Sequence, residues 1–143
     1  ALPFTVSEAD YVLALPQLRT IRDCVFVKEQ NVPLALEWDA LDPLCRHVLA
    51  LDANSLAIGT GRLTPQHTIG RMAVLPEWRG KGVGDALLQR LIGIASESGW
   101  AEVSLHSQVS AIGFYQKHGF MAYGDIYQEA GIAHQNMRLH LFK

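Results

Sequence analysis

Gly70-Arg71-Met72-Ala73-Val74-Leu75-Pro76-Glu77-Trp78-Arg79-Gly80-Lys81-Gly82-Val83-Gly84 is the stretch on which the fold turns. The apolar run Met72–Leu75 reads as a strand, Pro76-Glu77 as a turn, and the alternating glycines lead straight into an amphipathic helix. Glycine admits positive φ and lets a ligand approach the backbone closely. The first N–H groups of a helix lack intrahelical acceptors and carry about half a positive charge from the macrodipole. Arg79 and Lys81 add charge at the rim. Strand, glycine turn and helix start therefore predict an anion site, with a phosphate or pyrophosphate as its natural occupant.

Two common phosphate loops do not fit. A Walker loop needs Ser or Thr after its lysine to hold magnesium, and Lys81 is followed by Gly82. A dinucleotide fingerprint needs Gly-x-Gly-x-x-Gly, whereas Gly80, Gly82 and Gly84 give Gly-x-Gly-x-Gly past the midpoint of a short chain. Arg79, Gly82 and Gly84 instead match Arg/Gln-x-x-Gly-x-Gly/Ala, which resembles the acyl-CoA-binding signature of the GNAT N-acetyltransferase superfamily. Ala111-Ile112-Gly113-Phe114-Tyr115-Gln116-Lys117-His118-Gly119-Phe120 resembles that family's late Ala-x-x-Phe-Tyr-x-Lys-x-Gly-Phe motif. The two motifs stand in the family's order, with one helix and one strand between them. Further upstream, Arg22–Pro33, then Glu37, Asp39, Asp42 and His47, together with Gly59–Leu63 and Ile69–Arg71, resemble the ElaA-like branch, although the register around Leu36–Asp39 departs from it. The resemblance spans nearly the whole chain.

It implies a mixed, mostly antiparallel sheet flanked by helices, with a V-shaped cofactor cleft, and acetyl-CoA as cosubstrate. Pyrophosphate would sit on Arg79, Gly80, Lys81, Gly82, Val83 and Gly84. Pantetheine would pair with the strand backbone at Met72, Ala73 and Val74 as a short β-addition. The family's bulge would splay that strand from its neighbour, and an N–H near Val74 would polarise the thioester carbonyl. Tyr115 would sit beside the CoA sulfur and donate to the departing thiolate.

An aliphatic amine with a pKa of about 10.4 is mostly protonated at neutral pH, so a base must take its proton before it attacks. Glu29, just past an apolar helix face, is one candidate. His134, which shares a strand face with Asn136, Arg138 and His140 at period two, is another. Glu37, Asp39 and Asp42 form either a solvated acidic loop or a selector for cationic substrates. No metal is expected, because His134 and His140 lack a supporting cysteine or carboxylate cluster. Cys24 reads as a packed thiol.

Composition fits this reading. The 143 residues suit one domain, residues 1–143, and 49% hydrophobic with 18% charged residues indicates a globular chain. A net charge of −2 without a basic run speaks against nucleic acid or an anionic membrane as partner. No apolar stretch approaches the roughly 20 residues of a membrane span. Ala1-Leu2-Pro3-Phe4 lacks the basic start of a secretory leader, and two cysteines make no disulfide framework, so cytoplasmic residence is expected. A homodimer stays open.

Along the chain, Leu2–Val6 predicts a strand, Ser7 a helix cap, and Leu15–Phe26 a helix interrupted near Pro16. Asn31–Leu44 reads as an irregular acidic loop. His47–Leu51, Leu56–Leu63 and Ile69–Leu75 predict three strands, Asp85–Ser98 a helix closed by Gly99, and Glu102–Ser107 a strand. Ser110–His118 predicts a helix, and Phe120–Tyr127 and Gln135–Leu141 two final strands. The expected activity is acetyl transfer from acetyl-CoA to a primary amine of a small molecule, peptide or protein, by direct attack in a ternary complex. The alternatives are an acyl-homoserine-lactone synthase, against which the Arg79–Gly84 loop and short chain argue, and a non-catalytic acyl-CoA sensor.

Overall fold

The structure, a computed structural model, describes residues 3–30, 40 and 42–141. Glu37, Trp38 and Asp39 lie outside them. The first strand is longer than its apolar residues suggest. β1 (Phe4–Ala9) pairs antiparallel with β2 (Arg46–Asp52), with Ser7 opposite Leu49 and Ala9 opposite His47. Ladder pairing thus claims the segment read as a helix cap. Asp10, the first residue past the strand, takes that role by accepting the Leu13 N–H at 3.0 Å.

α1 (Tyr11–Arg22) runs through Pro16 without the expected interruption. Pro16 forgoes one intrahelical hydrogen bond, but Ala14, Leu18 and Ile21 bury a continuous apolar face that holds both halves together. The helix then widens into a π-helical segment, Asp23–Glu29, where Gln30 N–H reaches back to Val25 O at 3.1 Å. Such widening re-aims side chains and recurs at functional sites.

β2 and β3 (Ala57–Leu63) form a hairpin whose turn is fixed by Asp52, accepting the N–H groups of Asn54 and Leu56 at 2.8 and 3.0 Å. β4 (Thr68–Val74) follows, then α2 (Val83–Glu97) and β5 (Glu102–Gln108). The 3₁₀ turn Val109–Ala111 leads into a short α3 (Ile112–Gln116), which ends before the predicted His118. β6 (Met121–Glu129) and β7 (Ile132–His140) close the order. The seven strands form one sheet, β1-β2-β3-β4-β5-β7-β6, antiparallel except for β4 beside β5.

Alternation along the strands sends residues to two layers. Val48, Ala50 and Ile58 meet Leu87, Leu88 and Leu91 of α2 on one face, while Leu49 and Ala73 meet α1 on the other. Each fully buried Leu or Ile contributes roughly 1.5–3 kcal/mol. α2 approaches β3 closely because Gly59 and Gly61 lie beneath it. A Cβ there would stand 3.0 Å from Leu87 Cδ1 and 2.9 Å from Leu91 Cδ1, respectively. The β6–β7 hairpin turns on Ala130-Gly131 alone, at φ 52° and 76°. Two positive φ values are what a tight hairpin needs. Ala130 carries no sequence signal for one, which is why both strands extend beyond their predicted ends.

Candidate active site

The site begins with a phase error in β4. Ile69, Met72 and Val74 all pack towards α2, although Ile69 and Met72 are three apart and should point oppositely. An extra residue resolves it. Thr60 pairs with Ala73 but Arg62 with Gly70, and Arg71 sits at φ 51°, a β-bulge. The bulge twists β4 away from β5. Their pairing is confined to Thr68 opposite Ser104 and Ile69 opposite Leu105, after which the strands part.

The parted strands open a cavity of about 1190 Å³. Pockets for single drug-sized ligands run from about 300 to 1,000 Å³, so this one has room for a long cosubstrate and an acceptor together. Met72, Ala73 and Val74 line it along β4; Arg79, Gly80, Gly82 and Gly84 line it at the loop; Tyr115 and His134 line it further on. Lys81, Val83 and Glu29 are not among the lining side chains. Lys81 Nζ lies 5.3 Å from the Trp78 ring centre, and Val83 is buried in the core at the first turn of α2.

The glycine loop has the backbone its sequence suggests. Gly80 and Gly82 have φ 75° and 86°, and Gly82 is the left-handed residue from which α2 starts. Gly84 serves packing as well, since a Cβ there would come within 3.4 Å of Phe114 Cζ. Asp85 would place a negative charge beside this helix start, but His118 Nε2 holds it at 2.7 Å and Lys117 Nζ at 3.9 Å.

Arg79 and Glu29, assigned to different roles in the sequence, meet each other. Both terminal nitrogens of Arg79 donate to the Glu29 carboxylate at 2.7 Å, and its Nε donates to Val74 O at 3.0 Å. The Arg79 hydrogen bonds hold the Glu29 carboxyl below its usual value. The two side chains are 42% and 39% exposed, so the pair contributes little stability. It pins the loop to the end of the π-helical segment. Phe26 and Gln30 of that segment enter the cavity lining, and Gln30 accepts from Gln108 Nε2 of β5 at 2.9 Å.

Tyr115 packs edge-on against Phe114 and Phe120, at 5.1 and 5.9 Å between ring centres. Burial pushes its hydroxyl up to about 12, so it stays protonated throughout the neutral range.

His134 is buried on the polar face of β7. Its Nδ1 lies 2.7 Å from Ile132 O. A carbonyl only accepts, so Nδ1 carries a proton, which leaves Nε2 as the nitrogen whose lone pair can take another. Other members of the predicted polar row go elsewhere. Asn136 accepts from the Tyr127 hydroxyl, Arg138 covers the Tyr123 ring at 4.7 Å, and His140 Nδ1 faces Glu102 at 3.3 Å. Among the described residues, no group of three or more His, Cys, Asp or Glu is placed to hold a metal ion.

Asp42 is not the solvated carboxylate expected of an acidic loop. It is fully buried, bidentate to Arg22 at 2.9 and 3.2 Å and bonded to Arg62 Nη1 at 2.8 Å, and its carbonyl accepts from His47 Nε2 at 2.9 Å. Burial pushes its carboxyl up, but Arg22 and then Arg62 outweigh this and hold it below the usual range. Arg62 reaches the cavity wall, so this cluster supports the site from below. No periodicity in the sequence pairs Asp42 with residues twenty positions away on either side.

Comparison with known proteins agrees with this geometry. The family described as "Acetyltransferase (GNAT) domain" matches residues 25–141. The Bacillus subtilis protein named "Uncharacterized N-acetyltransferase YjcF" is 35% identical, over 82% of this chain and 86% of its own. The structure of an acyl-CoA N-acyltransferase from Pseudomonas aeruginosa superposes with a TM-score of 0.82 at 30% identity, covering 96% of this chain and 99% of that one. Escherichia coli ElaA superposes with a TM-score of 0.85 at 27% identity, covering 94% and 98%. A strand-splayed cleft with a glycine-rich helix start belongs to an acyl-CoA-dependent N-acyltransferase. The chain is a member of the GNAT acetyltransferase family.

Proposed function

We propose that the protein, as one domain, transfers an acetyl group from acetyl-CoA directly to a primary amine of a small molecule, peptide or protein. The observation that carries this reading is convergence. The open β4 edge, the glycine loop at the start of α2, Tyr115 and His134 all border one cavity. Pyrophosphate is assigned to the backbone N–H groups of Gly80–Gly84, with Lys81 as rim charge and Val83 N–H at the first turn of α2. Pantetheine is assigned to the β4 edge along Met72–Val74, where β4 has left β5.

Tyr115 is then the donor to the leaving sulfur and His134 the acceptor of the amine proton, at Nε2. Glu29 is the weaker candidate for the base, because Arg79 occupies both its oxygens. Its role is to anchor the signature arginine. Among the described lining residues there is no cysteine, which favours direct transfer over an acyl-cysteine intermediate. Cys24 and Cys45 are free thiols, in keeping with a cytoplasmic location. No helix among the described residues is long and apolar enough to cross a membrane.

A panel of primary amines, with free-thiol release from acetyl-CoA as readout, tests the reading. The expected result is release above hydrolysis with at least one amine, and an acetylated product of the corresponding mass. Binding of acetyl-CoA without turnover across small amines, peptides and protein lysines would instead make the protein a sensor.

A further inference from the structure

The cavity is lined by a carboxylate that neither motif of the sequence contains. Glu129 closes β6 immediately before the Ala130-Gly131 turn, and lines the cavity with Ala130, Ile132, His106 and His134. Its two oxygens face two imidazoles. Oε1 is 3.2 Å from His106 Nδ1 of β5, and Oε2 is 3.6 Å from His134 Nε2 of β7. At 3.6 Å the second contact is not a hydrogen bond, but it is within ion-pair reach once Nε2 carries a proton.

Tyr127 lies between the histidines, at 6.1 Å from each ring, and Gln108 pairs with His134 across the strands. Glu129 is 46% exposed on its side chain, open enough to meet an incoming ligand. The turn that delivers it keeps Ala130 at φ 52°, a conformation that costs roughly 1–2 kcal/mol for a residue with a Cβ. Backbone strain of this kind concentrates at functional sites.

Resting on the acyltransfer reading above, the geometry points to Glu129 as the residue that selects a cationic amine and positions His134 to deprotonate it. The ammonium of the acceptor docks against the carboxylate. His134 Nε2 takes one proton, and the resulting imidazolium is held by Glu129 Oε2. The free amine forms the N–C bond as the C–S bond breaks. The second N–H proton of the adduct replaces the one Tyr115 gives to the thiolate. The products are amide, CoA thiol and one proton, which leaves His134 for solvent. Charge attraction at Glu129 thus makes an ammonium, rather than an uncharged nucleophile, the preferred acceptor.

Two acceptors of similar shape but different charge test this: benzylamine, cationic at neutral pH, and O-benzylhydroxylamine, uncharged there. Glu129→Gln should lower kcat/KM for benzylamine by roughly 10- to 100-fold, the range for losing a charged hydrogen-bond partner, mainly through KM. The uncharged acceptor should stay within about threefold of wild type, acetyl-CoA affinity should be unchanged, and Glu129→Asp should recover part of the loss. An equal loss on both acceptors, or none on either, with an active wild type, overturns the role of Glu129 and leaves the acyltransfer reading standing. Where the wild type turns over no amine, peptide or protein lysine although acetyl-CoA binds, the acyltransfer reading fails and the role of Glu129 with it.

Discussion

Tyr115→Phe should lower kcat by roughly 10²–10³-fold on a working amine, with acetyl-CoA affinity little changed. Phe retains the ring contacts to Phe114 and Phe120, so the substitution removes the hydroxyl and little else. The lower part of the range for general acids is expected. A hydroxyl at about 12 donates uphill to a thiolate near 8.5, so much of its effect is a hydrogen bond to developing charge. The same raised value means that no loss of rate from Tyr115 ionisation should appear between neutral pH and about pH 10. Single-turnover acyl transfer, with CoA affinity measured separately, decides it. An unchanged chemical step would retire Tyr115 as the donor.

Asp42→Asn should cost about 3–5 kcal/mol of folding stability, because it removes the negative charge between two buried guanidinium groups. Against a typical total of about 5–15 kcal/mol, that is a large fraction. The pH dependence has a definite sign. The folded-state value of Asp42 lies below its unfolded one, so its contribution is full above about pH 4 and is lost as pH falls through the folded value. Burial, outweighing the opposing hydrogen bond and charge of Asp42, also depresses His47, so the unfolded chain takes a proton below about pH 6.5 that the folded chain resists. Both effects weaken the fold in acid. Urea midpoints should show a wild-type advantage at neutral pH that narrows below pH 4, where the carboxylate itself is being protonated. A variant within 1 kcal/mol of wild type at neutral pH would mean the cluster is dispensable.

The parts of the site that the sequence made legible are those in which local spacing dictates local geometry. Alternating glycines before an amphipathic run specify a left-handed turn and a helix start, and Gly80, Gly82 and α2 follow directly. The succession of strands and helices along the chain followed from the run of apolar segments and their turns, whereas the placing of β7 between β5 and β6 in the sheet did not. What stayed hidden depends on partners distant in sequence. Ser7 lost its capping role to strand pairing with Leu49, a contest that no local pattern records. Arg79 and Glu29 read as separate functional residues until the π-helical segment brought them together. Glu129 was invisible because a hairpin turning on Ala130-Gly131 lacks the usual asparagine, so nothing local extends the strand past Tyr127 to the carboxylate. The β4 bulge was expected from resemblance alone, and its position at Arg71 came only with the pairing.

The most direct test of the central claim is a melting curve with and without acetyl-CoA. At 100 times its dissociation constant, a ligand that binds only the folded state adds about 2.7 kcal/mol. For a chain of this size that corresponds to a rise in Tm of roughly 5–10 °C. Acetyl-pantetheine, which lacks the pyrophosphate, should give a far smaller shift at equal concentration. An unchanged Tm with saturating acetyl-CoA, or equal shifts with and without the pyrophosphate, would contradict the assignment of the β4 cleft and the Gly80–Gly84 loop as an acyl-CoA site.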